Sequence, residues 1–428
     1  MTITEKILAR ASGRERVVPG EIVWAAVDKA CIDDVQLGIL ERALAKLGEP
    51  KIDPERAVLV GDHYLPPSNL EQAQAVRALR RFGERHGLKH VFLKEGVKHQ
   101  VLAEAGLVQP GQVLVATDSH TNTGGALGAF ATALGPTEVA VAMVHGRMWF
   151  RVPESIRVEV RGSFPEYVYP KDLALYLLGR YGVDLATYRA IEFTGETVRR
   201  MSVSERMTLC NMSTEMGAKS AIVAPDEVTF AYLQSVQAAP ESLESWRQWQ
   251  SDADAAYAQE IVVDVRELEP LVAVPFSPGN VRPVREVAGK PVDQALIGTC
   301  TNGNLEDIGV AAAMLRGRRV HPRVQLIVTP ASLGVMRAAL ARGWIQDLVD
   351  AGAVVTNPGC GACAGMHMGV LDAGEVRISS QNRNFRARGG HPASEIFLAS
   401  PATVAASAVT GRITDPRELG FSERRMPA

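Results

Sequence analysis

Three cysteines in two glycine-rich loops constrain this 428-residue chain more than any other feature. The first loop reads Gly-Thr-Cys300-Thr-Asn302-Gly, and the second reads Asn357-Pro-Gly-Cys360-Gly-Ala-Cys363. Each loop follows an apolar run typical of a β-strand, and glycine permits the close backbone approach that a bound group needs. Together they supply three thiolates that could converge on one centre. A closed structural metal site uses four ligands, whereas three leave a position open for water or substrate.

The same spacing also occurs in redox-active cysteine pairs. A thioredoxin-type pair opens a helix early in a small domain, whereas this pair lies deep in a long chain. We therefore favour a metal or cluster site over a redox pair. Cys31 and Cys210 lie in apolar or helical contexts, and we interpret them as small buried hydrophobic residues.

The composition is that of an ordinary soluble protein, with 46% hydrophobic residues, 22% charged residues and a formal net charge of −2. A net charge this small produces only a weak electrostatic field, which should attract neither nucleic acid nor an anionic membrane surface. No apolar stretch reaches bilayer-spanning length, and the first residues lack the order of a signal peptide. An odd number of cysteines, five, argues against a secreted disulfide framework. We expect a cytoplasmic protein without a membrane or nucleic-acid partner.

Strand-like runs alternate with helix-like stretches along the chain, a pattern typical of largely parallel α/β sheets. We predict an α/β fold of three domains, covering residues 1–153, 154–275 and 276–428. The last domain carries the three loop cysteines. Predicted strands cover residues 21–27, 57–60, 91–93, 114–116 and 153–160, and predicted helices cover 37–47, 69–86, 205–217 and 395–408. A glycine-rich connection is predicted over 124–135, a surface segment over 236–260 and a linker over 275–283.

Histidines follow three successive predicted strands. His63, His99 and His120 each lie beyond a strand end, where parallel α/β sheets bind their ligands. Asp62 and Asp118 lie beside or near two of them. Histidine paired with carboxylate transfers protons near neutral pH. A single histidine would more often be structural, but the recurrence favours a catalytic site.

Arginines in a loop after a further predicted strand suggest carboxylate binding. Arg383 and Arg388 lie five residues apart and could hold two carboxylates of a di- or tricarboxylic acid. A solvated basic loop explains the spacing about as well. Elsewhere, Asn211 and Glu215 lie four residues apart and would share a helical face.

The order of these motifs resembles the aconitase superfamily. Within it, the length and the phrase Arg-Val-Pro-Glu-Ser (151–155) look most like the large subunits of the 3-isopropylmalate dehydratase and homoaconitase branch, of archaeal type. The motifs are Asp-His-x-x-Pro (62–66), His-Gln (99–100), Asp-Ser-His-Thr (118–121), Cys-Asn-Met (210–212), Gly-Thr-Cys-Thr-Asn-Gly (298–303), Pro-Gly-Cys-Gly-x-Cys (358–363) and Asn-Arg-Asn-Phe-x-x-Arg (382–388).

The resemblance implies a 4Fe-4S cluster held by Cys300, Cys360 and Cys363, with one iron open to substrate. It implies that His63, paired with Asp62, protonates the leaving hydroxyl. Supporting pairs would be His99 with Asp118 and His120 with Glu215. Residues implied to bind substrate or line the site are Ser119, Asn211, Asn302, Asn382, Arg383 and Arg388.

The implied activity is that of a hydro-lyase that isomerises a hydroxy di- or tricarboxylic acid by dehydration and rehydration, in leucine or lysine biosynthesis. The implied fold has three α/β domains around the cluster. No Gly-Ser-Ser-Arg motif of the family's swivelling fourth domain is found in the sequence. We therefore expect a separate small subunit to supply that domain and its serine base. The alternatives are an iron-responsive RNA-binding relative, disfavoured by the near-neutral charge, and a zinc hydrolase.

Three sites depart from the family pattern. Asp33-Asp34 stands where relatives place other polar pairs near substrate, so the sequence leaves the substrate preference open. Lys98 precedes His99 where many relatives have cysteine or isoleucine. Ala387 replaces the usual glycine of the arginine loop, which should restrict the backbone there.

Overall fold

A computed structural model describes residues 1–48, 50–239 and 243–419 of the chain. These residues form two compact units. The first unit comprises Met1–Leu93, Val101–Gly162 and Asp184–Asp264, and the second comprises Lys94–Gln100, Ser163–Val183 and the described chain from Val265 onward. The division into three domains at residues 153 and 275 stays a prediction.

The strands of the first unit are short. They are β1 (Ile22–Ala26), β2 (Lys29–Asp33), β3 (Ala57–Val60), β4 (His90–Phe92), β5 (Val113–Ala116), β6 (Phe130–Ala133), β7 (Arg147–Arg151), β8 (Ser155–Arg161), β9 (Ala190–Thr194), β10 (Ser220–Val223) and β11 (Gln259–Asp264). Those of the second unit are β12 (Leu271–Ala273), β13 (Val281–Pro283), β14 (Gln294–Gly298), β15 (Gln325–Thr329), β16 (Val354–Val355), β17 (Val376–Ser379) and β18 (Glu395–Ala399).

The helices connect these strands. They are α1 (Ile3–Ser12), α2 (Leu37–Lys46), α3 (Leu70–His86), α4 (Lys98–Glu104), α5 (Pro136–His145), α6 (Pro170–Tyr181), α7 (Glu196–Arg200), α8 (Val203–Met212), α9 (Glu227–Ser235), α10 (Val284–Val287), α11 (Thr299–Asn302), α12 (Leu305–Leu315), α13 (Leu333–Ala341), α14 (Trp344–Ala351) and α15 (Pro401–Thr410). Segments of 3-10 helix cover Ser119–Leu127, Ser213–Met216, Leu243–Trp246, Val265–Glu267 and Pro416–Leu419. Among the described helices, none combines the length and the apolar character needed to cross a membrane.

A wholly parallel sheet of five strands organises part of the first unit, in the order β4-β3-β2-β5-β6. The chain runs outward from β2 to β3 and β4, then crosses to β5 and β6 on the other side. The order therefore reverses between β2 and β5. Strands β3 and β5 are buried along their whole length, which explains their unbroken apolar sequences. Open α/β sheets bind ligands beyond the carboxyl ends of their strands at such a reversal.

Two smaller sheets complete the first unit. One has four parallel strands in the order β10-β9-β8-β11. The other is an antiparallel ribbon of β1 and β7. Parallel pairing therefore dominates the unit, as the alternation of predicted strands and helices indicated.

The second unit is built on a seven-stranded sheet in the order β13-β12-β18-β17-β14-β15-β16. Strand β12 is antiparallel to both neighbours, and the remaining pairs are parallel. The order reverses between β14 and β17. At the end of β14, Gly298 has a φ of +137°, and a Cβ atom there would lie 2.2 Å from the carbonyl oxygen of Thr329. Only glycine fits, so the strand can turn at once into the first cysteine loop.

The α/β architecture with mainly parallel sheets agrees with the prediction, but several elements differ. The sequence did not predict β2, because this strand has a lysine at one end and an aspartate at the other and offers no apolar run. It also missed β6, which lies inside the glycine-rich stretch 124–135. The predicted helix over 395–408 is wrong in its first part, which forms β18.

Three further predictions need correction. The predicted linker over 275–283 contributes β13 to the edge of the large sheet, where proline is tolerated. Trp246 and Trp249, predicted in a surface segment, are only 6% and 8% exposed. The predicted helix over 205–217 ends at Met212, and the chain continues as 3-10 helix.

Gly125 offers a test of the packing in the first unit. A Cβ atom at Gly125 would lie 1.6 Å from the carbonyl oxygen of Ala221 in β10. We expect Gly125→Ala to lower the free energy of unfolding by about 2 kcal/mol or more, measured by urea denaturation. The control is Gly38→Ala in α2, where the nearest atom is Arg42 Nη1 at 3.8 Å. This change should stabilise the helix by up to about 1 kcal/mol. Equal effects would contradict the packing.

Candidate functional site

Three strands of the five-stranded sheet deliver carboxylates and a histidine to one edge. Strand β2 ends at Asp33 and is followed by Asp34, β3 is followed closely by Asp62 and His63, and β5 is followed closely by Asp118. These strands are parallel neighbours, so their carboxyl ends share an edge. The topology alone therefore gathers residues that are far apart in the sequence.

His63 lies among three of these carboxylates. Its Nδ1 atom lies 2.8 Å from Asp62 Oδ1 and 3.3 Å from Asp34 Oδ1, and its Nε2 atom lies 3.9 Å from Asp118 Oδ2. Burial alone would lower the pKa of His63, but the charge of Asp62 and the hydrogen bonds to Asp34 and Asp62 raise it well above the usual value. These carboxylates favour the protonated form of the ring, so His63 is suited to act as a proton donor.

Asp34 and Asp33 hold the loops around His63. Asp34 accepts the backbone N–H groups of His63 at 3.2 Å and Tyr64 at 2.9 Å, and its side chain is fully buried. Asp33 accepts the hydroxyl of Thr117 at 2.8 Å, which links the ends of β2 and β5. Oxygens of Asp33 and Asp34 and a nitrogen of His63 lie within 4.8 Å of one another. Sequence reasoning placed this acidic pair near substrate but missed that it supports the histidine loop.

A second histidine–carboxylate pair lies in the first unit. His120 Nε2 lies 2.8 Å from Glu215 Oε1, and both side chains are buried. Asp118 accepts the backbone N–H of His120 at 2.7 Å and so fixes the start of the 3-10 segment. The pair expected from the sequence is thus in hydrogen-bond contact, and its catalytic role stays a prediction.

Two further predicted residues support the same segment. Asn211 in α8 donates through Nδ2 to Thr123 Oγ1 at 3.0 Å. The backbone carbonyl of Ser119 accepts the hydroxyl of Thr214 at 3.2 Å. Because Glu215 lies in the 3-10 turn after α8, it does not share a continuous helical face with Asn211 as predicted.

In the second unit, the cysteines follow strands of the seven-stranded sheet. Cys300 lies in the short helix α11 just after β14, and not in a loop as predicted. Cys360 and Cys363 lie in the loop after β16, and Asn382 lies just after β17. Strands β14 and β17 flank the reversal of strand order. The same topological rule thus gathers the sulfur atoms in this unit.

Asn382 links the two cysteine loops. Its Nδ2 atom donates to Cys300 Sγ at 3.3 Å and to Thr301 Oγ1 at 3.0 Å. Its Oδ1 atom accepts from Cys363 Sγ at 3.8 Å, and the side chain is fully buried. One amide therefore fixes the relative position of two sulfur atoms.

Arg388 faces the same sulfur atoms. Its Nη2 atom donates to Cys363 Sγ at 3.4 Å. The charge of Cys363 raises the pKa of Arg388 above its usual value against the effect of burial, and the charges of Cys360 and Cys300 add to the rise. All three sulfur atoms thus act on one guanidinium group. Its buried Nε atom has no hydrogen-bond partner among residues 1–48, 50–239 and 243–419.

A second guanidinium group lies under the Cys363 loop. Arg377 in β17 is fully buried, donates through Nη1 to the carbonyl of Ala362 at 2.9 Å and through Nε to Gln294 Oε1 at 2.7 Å. Burial lowers its pKa to about 10, and the charge of Cys363 acts in the opposite direction. Sequence reasoning missed Arg377, although a charged residue inside a central apolar strand is an available signal.

Two residues beside the sulfur site adopt the left-handed backbone conformation that favours glycine. Thr299 has a φ of +71° and precedes Cys300, and Ala387 has a φ of +63° and precedes Arg388. A side chain in this region costs roughly 1–2 kcal/mol, and a β-branched one is unusual there. Ala387 thus adopts a conformation that glycine would adopt without a steric cost. Strain of this kind is typical of functional sites.

Two predicted residues have less defined surroundings. His99 is buried and lies near the start of α4, not in a strand-end loop as predicted. It belongs to the second unit, whereas Asp118 belongs to the first, and their pairing stays a prediction. Arg383 is half-buried, and its carbonyl accepts Gln381 Nε2 at 2.6 Å. Its role towards substrate also stays a prediction.

The three sulfur atoms form one candidate metal centre. All three act on the guanidinium group of Arg388, and the buried amide of Asn382 contacts two of them. Thiolates are ligands both of single zinc ions and of iron–sulfur clusters. The residues present therefore fit a metal centre that is held by three thiolates.

Comparison with known proteins gives consistent matches. Residues 51–411 match the aconitase family (aconitate hydratase). A probable 3-isopropylmalate dehydratase large subunit of Methanothermobacter thermautotrophicus is 49% identical over 98% of this chain and 99% of its own length. 3-isopropylmalate dehydratase large subunit 1 of Methanopyrus kandleri is 50% identical, over 97% and 99% respectively. A probable methanogen homoaconitase large subunit of M. thermautotrophicus is 46% identical, over 98% of each chain.

The charge state of His63 can be tested by removing its closest carboxylate. We expect Asp62→Asn to lower the pKa of His63, because it removes the charge that raises this pKa most. The titration can be followed by NMR of the imidazole Cε1–H, with the exposed His145 as an internal reference and His63→Gln for assignment. A pKa of His63 that stays the same in the variant would contradict the ion pair.

The strain at Ala387 can be tested by relieving it. We expect Ala387→Gly to raise the free energy of unfolding by up to about 1 kcal/mol, because glycine adopts a positive φ without a steric cost. The control is Ala373→Gly in an exposed turn, which should lower stability by about 0.4–1 kcal/mol through unfolded-chain entropy. Both are measured by urea denaturation, and the same sign for the two changes would contradict the strain.

Proposed function

This chain belongs to the aconitase family, and we propose that it is the large subunit of a hydro-lyase that isomerises a hydroxy di- or tricarboxylic acid. The substrate would be that of a 3-isopropylmalate dehydratase or of a homoaconitase, in leucine or lysine biosynthesis. The observation that carries the proposal is 49% identity, over almost the whole of both chains, to a probable 3-isopropylmalate dehydratase large subunit.

Cys300, Cys360 and Cys363 would hold a 4Fe-4S cluster. When bound, such a cluster supplies a Lewis-acidic iron that polarises a substrate oxygen. The chain's own contribution is to fix the sulfur atoms, through the Asn382 amide and the guanidinium groups of Arg377 and Arg388. These groups also place positive charge beside the anionic sulfur ligands.

His63 would protonate the leaving hydroxyl of the substrate. A general acid must carry its proton at the operating pH, and the raised pKa of His63 meets this requirement. Asp62 orients the ring through Nδ1. The proton would be donated from Nε2, which lies 3.9 Å from Asp118 Oδ2. The buried pair of His120 and Glu215 would orient water or a second proton.

Carboxylates of the substrate would be held by Arg383 and Arg388. In the structure Arg388 contacts Cys363, so its guanidinium group would serve the sulfur site and the substrate together. Ser119, Asn211 and Asn382 would add polar contacts. The names of the relatives as large subunits support a separate small subunit as partner. That partner would carry the swivelling domain and the serine base that removes the substrate proton.

Anaerobic reconstitution with iron and sulfide, followed by addition of the cognate small subunit, tests this function. We expect hydration of the conjugated alkene intermediate from isopropylmalate or from homocitrate, seen as loss of its ultraviolet absorbance. His63→Asn should lower kcat by about 10²–10⁴-fold, because the proton donor is lost. His145→Asn, which changes an exposed histidine, is the control. Turnover of neither alkene by the wild-type complex would refute the proposal.

The same preparation tests the metal assignment. Cys360→Ala should lose most of the bound iron and the brown colour, whereas Cys210→Ala, which changes a buried helical cysteine, should retain both. Zinc without iron or sulfide in the purified protein would favour the single-ion alternative.

A further inference from the structure

Lys171 is a buried cation on a helix that carries none of the residues assigned above. It is the second residue of α6, and its side chain is fully buried. A buried ammonium group is costly unless hydrogen bonds and opposite charge compensate it. The contacts of Lys171 therefore show what this part of the second unit is built to hold.

The ammonium group holds the backbone that leads to Asn382. Its Nζ atom donates to the carbonyl of Ser380 at 3.0 Å and to that of Gln381 at 2.6 Å. These two residues link the end of β17 to Asn382, whose amide contacts Cys300 and Cys363. A shift of either carbonyl would leave a buried donor without its acceptor and would turn the Asn382 amide.

The charge of Lys171 also acts on Asp307, whose carboxylate binds the segment that follows Cys300. Asp307 accepts Asn302 Nδ2 at 3.0 Å and the backbone N–H of Asn304 at 3.1 Å. Burial raises the pKa of Asp307 to about 7, and the hydrogen bond from Asn302 and the charge of Lys171 both lower it. Asn302 is two residues from Cys300. Lys171 therefore contacts the loop that leads to Asn382, and its charge also acts on the carboxylate that binds Asn302.

Asp172 ties this cation to the sheet. It accepts the backbone N–H of Leu271 in β12 at 2.9 Å and that of Tyr169 at 2.9 Å. Burial raises the pKa of Asp172 to about 7, the two backbone hydrogen bonds lower it, and the charge of Lys171 lowers it further. The start of α6 is thereby anchored, so the position of Lys171 is fixed by the fold and not by the loops that it supports.

We propose that Lys171 is a positioning residue that holds the Asn382 loop in one arrangement through the carbonyls of Ser380 and Gln381, and thereby fixes Cys300 and Cys363, which the Asn382 amide contacts. The proposal rests on the proposed function in one respect, since this arrangement matters for catalysis only if the cysteines bind the cofactor. The placing of the sulfur atoms themselves is a property of the chain and can be measured without any cofactor.

The test is the reactivity of the cysteines in metal-free protein. Lys171→Met keeps the length of the side chain and removes the charge and the donors. We expect iodoacetamide to label Cys300 and Cys363 about ten-fold faster in this variant than in the wild type, followed by peptide mass spectrometry, because the loops open more often. Labelling of Cys31, which is buried in β2 of the first unit, should not change.

The matched control is Ser407→Ala, which removes a buried hydroxyl that accepts the backbone N–H of Thr414 in the same unit. It should lower thermal stability without changing the labelling rates of Cys300 and Cys363. If Lys171→Met does not fold, Lys171→Gln provides the same test, because it also removes the ammonium group that donates to the two carbonyls. Equal labelling rates in the wild type and in whichever variant folds would overturn the proposal.

Two further readouts separate this proposal from the proposed function. In reconstituted protein, Lys171→Met should lose its iron to a chelator about ten-fold faster than Ser407→Ala, because the loops open more often. If the wild-type complex has no hydratase activity but the labelling difference is present, the positioning role stands and the proposed function fails. If the wild-type complex is active but the labelling difference is absent, the proposed function stands and the positioning role fails.

Discussion

Parallel strands must all end at the same edge of their sheet, and both halves of the candidate chemistry depend on this constraint. In the five-stranded sheet the order reverses between β2 and β5, and Asp34, Asp62, His63 and Asp118 follow the strands on either side. In the seven-stranded sheet it reverses between β14 and β17, with Cys300 and Asn382 beyond the two strand ends. Each unit therefore gathers its reactive groups by the same rule, without any local sequence motif that spans them.

Each candidate site also contains charges that are compensated by groups of opposite sign. The central group is a cation in the first unit, whereas the central atoms carry negative charge in the second. Around His63 one imidazolium is held by several carboxylates, which keeps its proton bound. Around the cysteine sulfur atoms, which carry negative charge as thiolates, the supporting groups Arg377, Arg388 and Lys171 are cations. A buried charge is tolerated only where opposite charge or hydrogen bonds meet it. The supporting charges are therefore placed as specifically as the reactive groups that they stabilise.

The sequence predicted the elements that carry a simple signal. Strands β3 and β5 are unbroken apolar runs, and α3 begins after an asparagine cap. The motifs that contain His63, His120 and Cys300 follow strands as predicted, whereas His99 lies in α4. The sequence could not predict β2, whose polar ends hide a central strand, nor the role of Asp34, which depends on the neighbouring loop after β3. The role of Lys171 could not be predicted for a similar reason, because the carbonyl groups that it binds lie about 210 residues away in the chain. Contacts of this range follow from strand order, and strand order has no short sequence signal.

The backbone conformations of Thr299 and Ala387 limit how this sulfur site could be transferred to another protein scaffold. Neither residue offers a ligand atom, yet each sets the direction in which the next side chain leaves the backbone. A graft of Cys300 and Arg388 alone, placed in ordinary extended or helical backbone, would direct their side chains elsewhere. The smallest portable units are therefore Thr299 with Cys300 and Ala387 with Arg388.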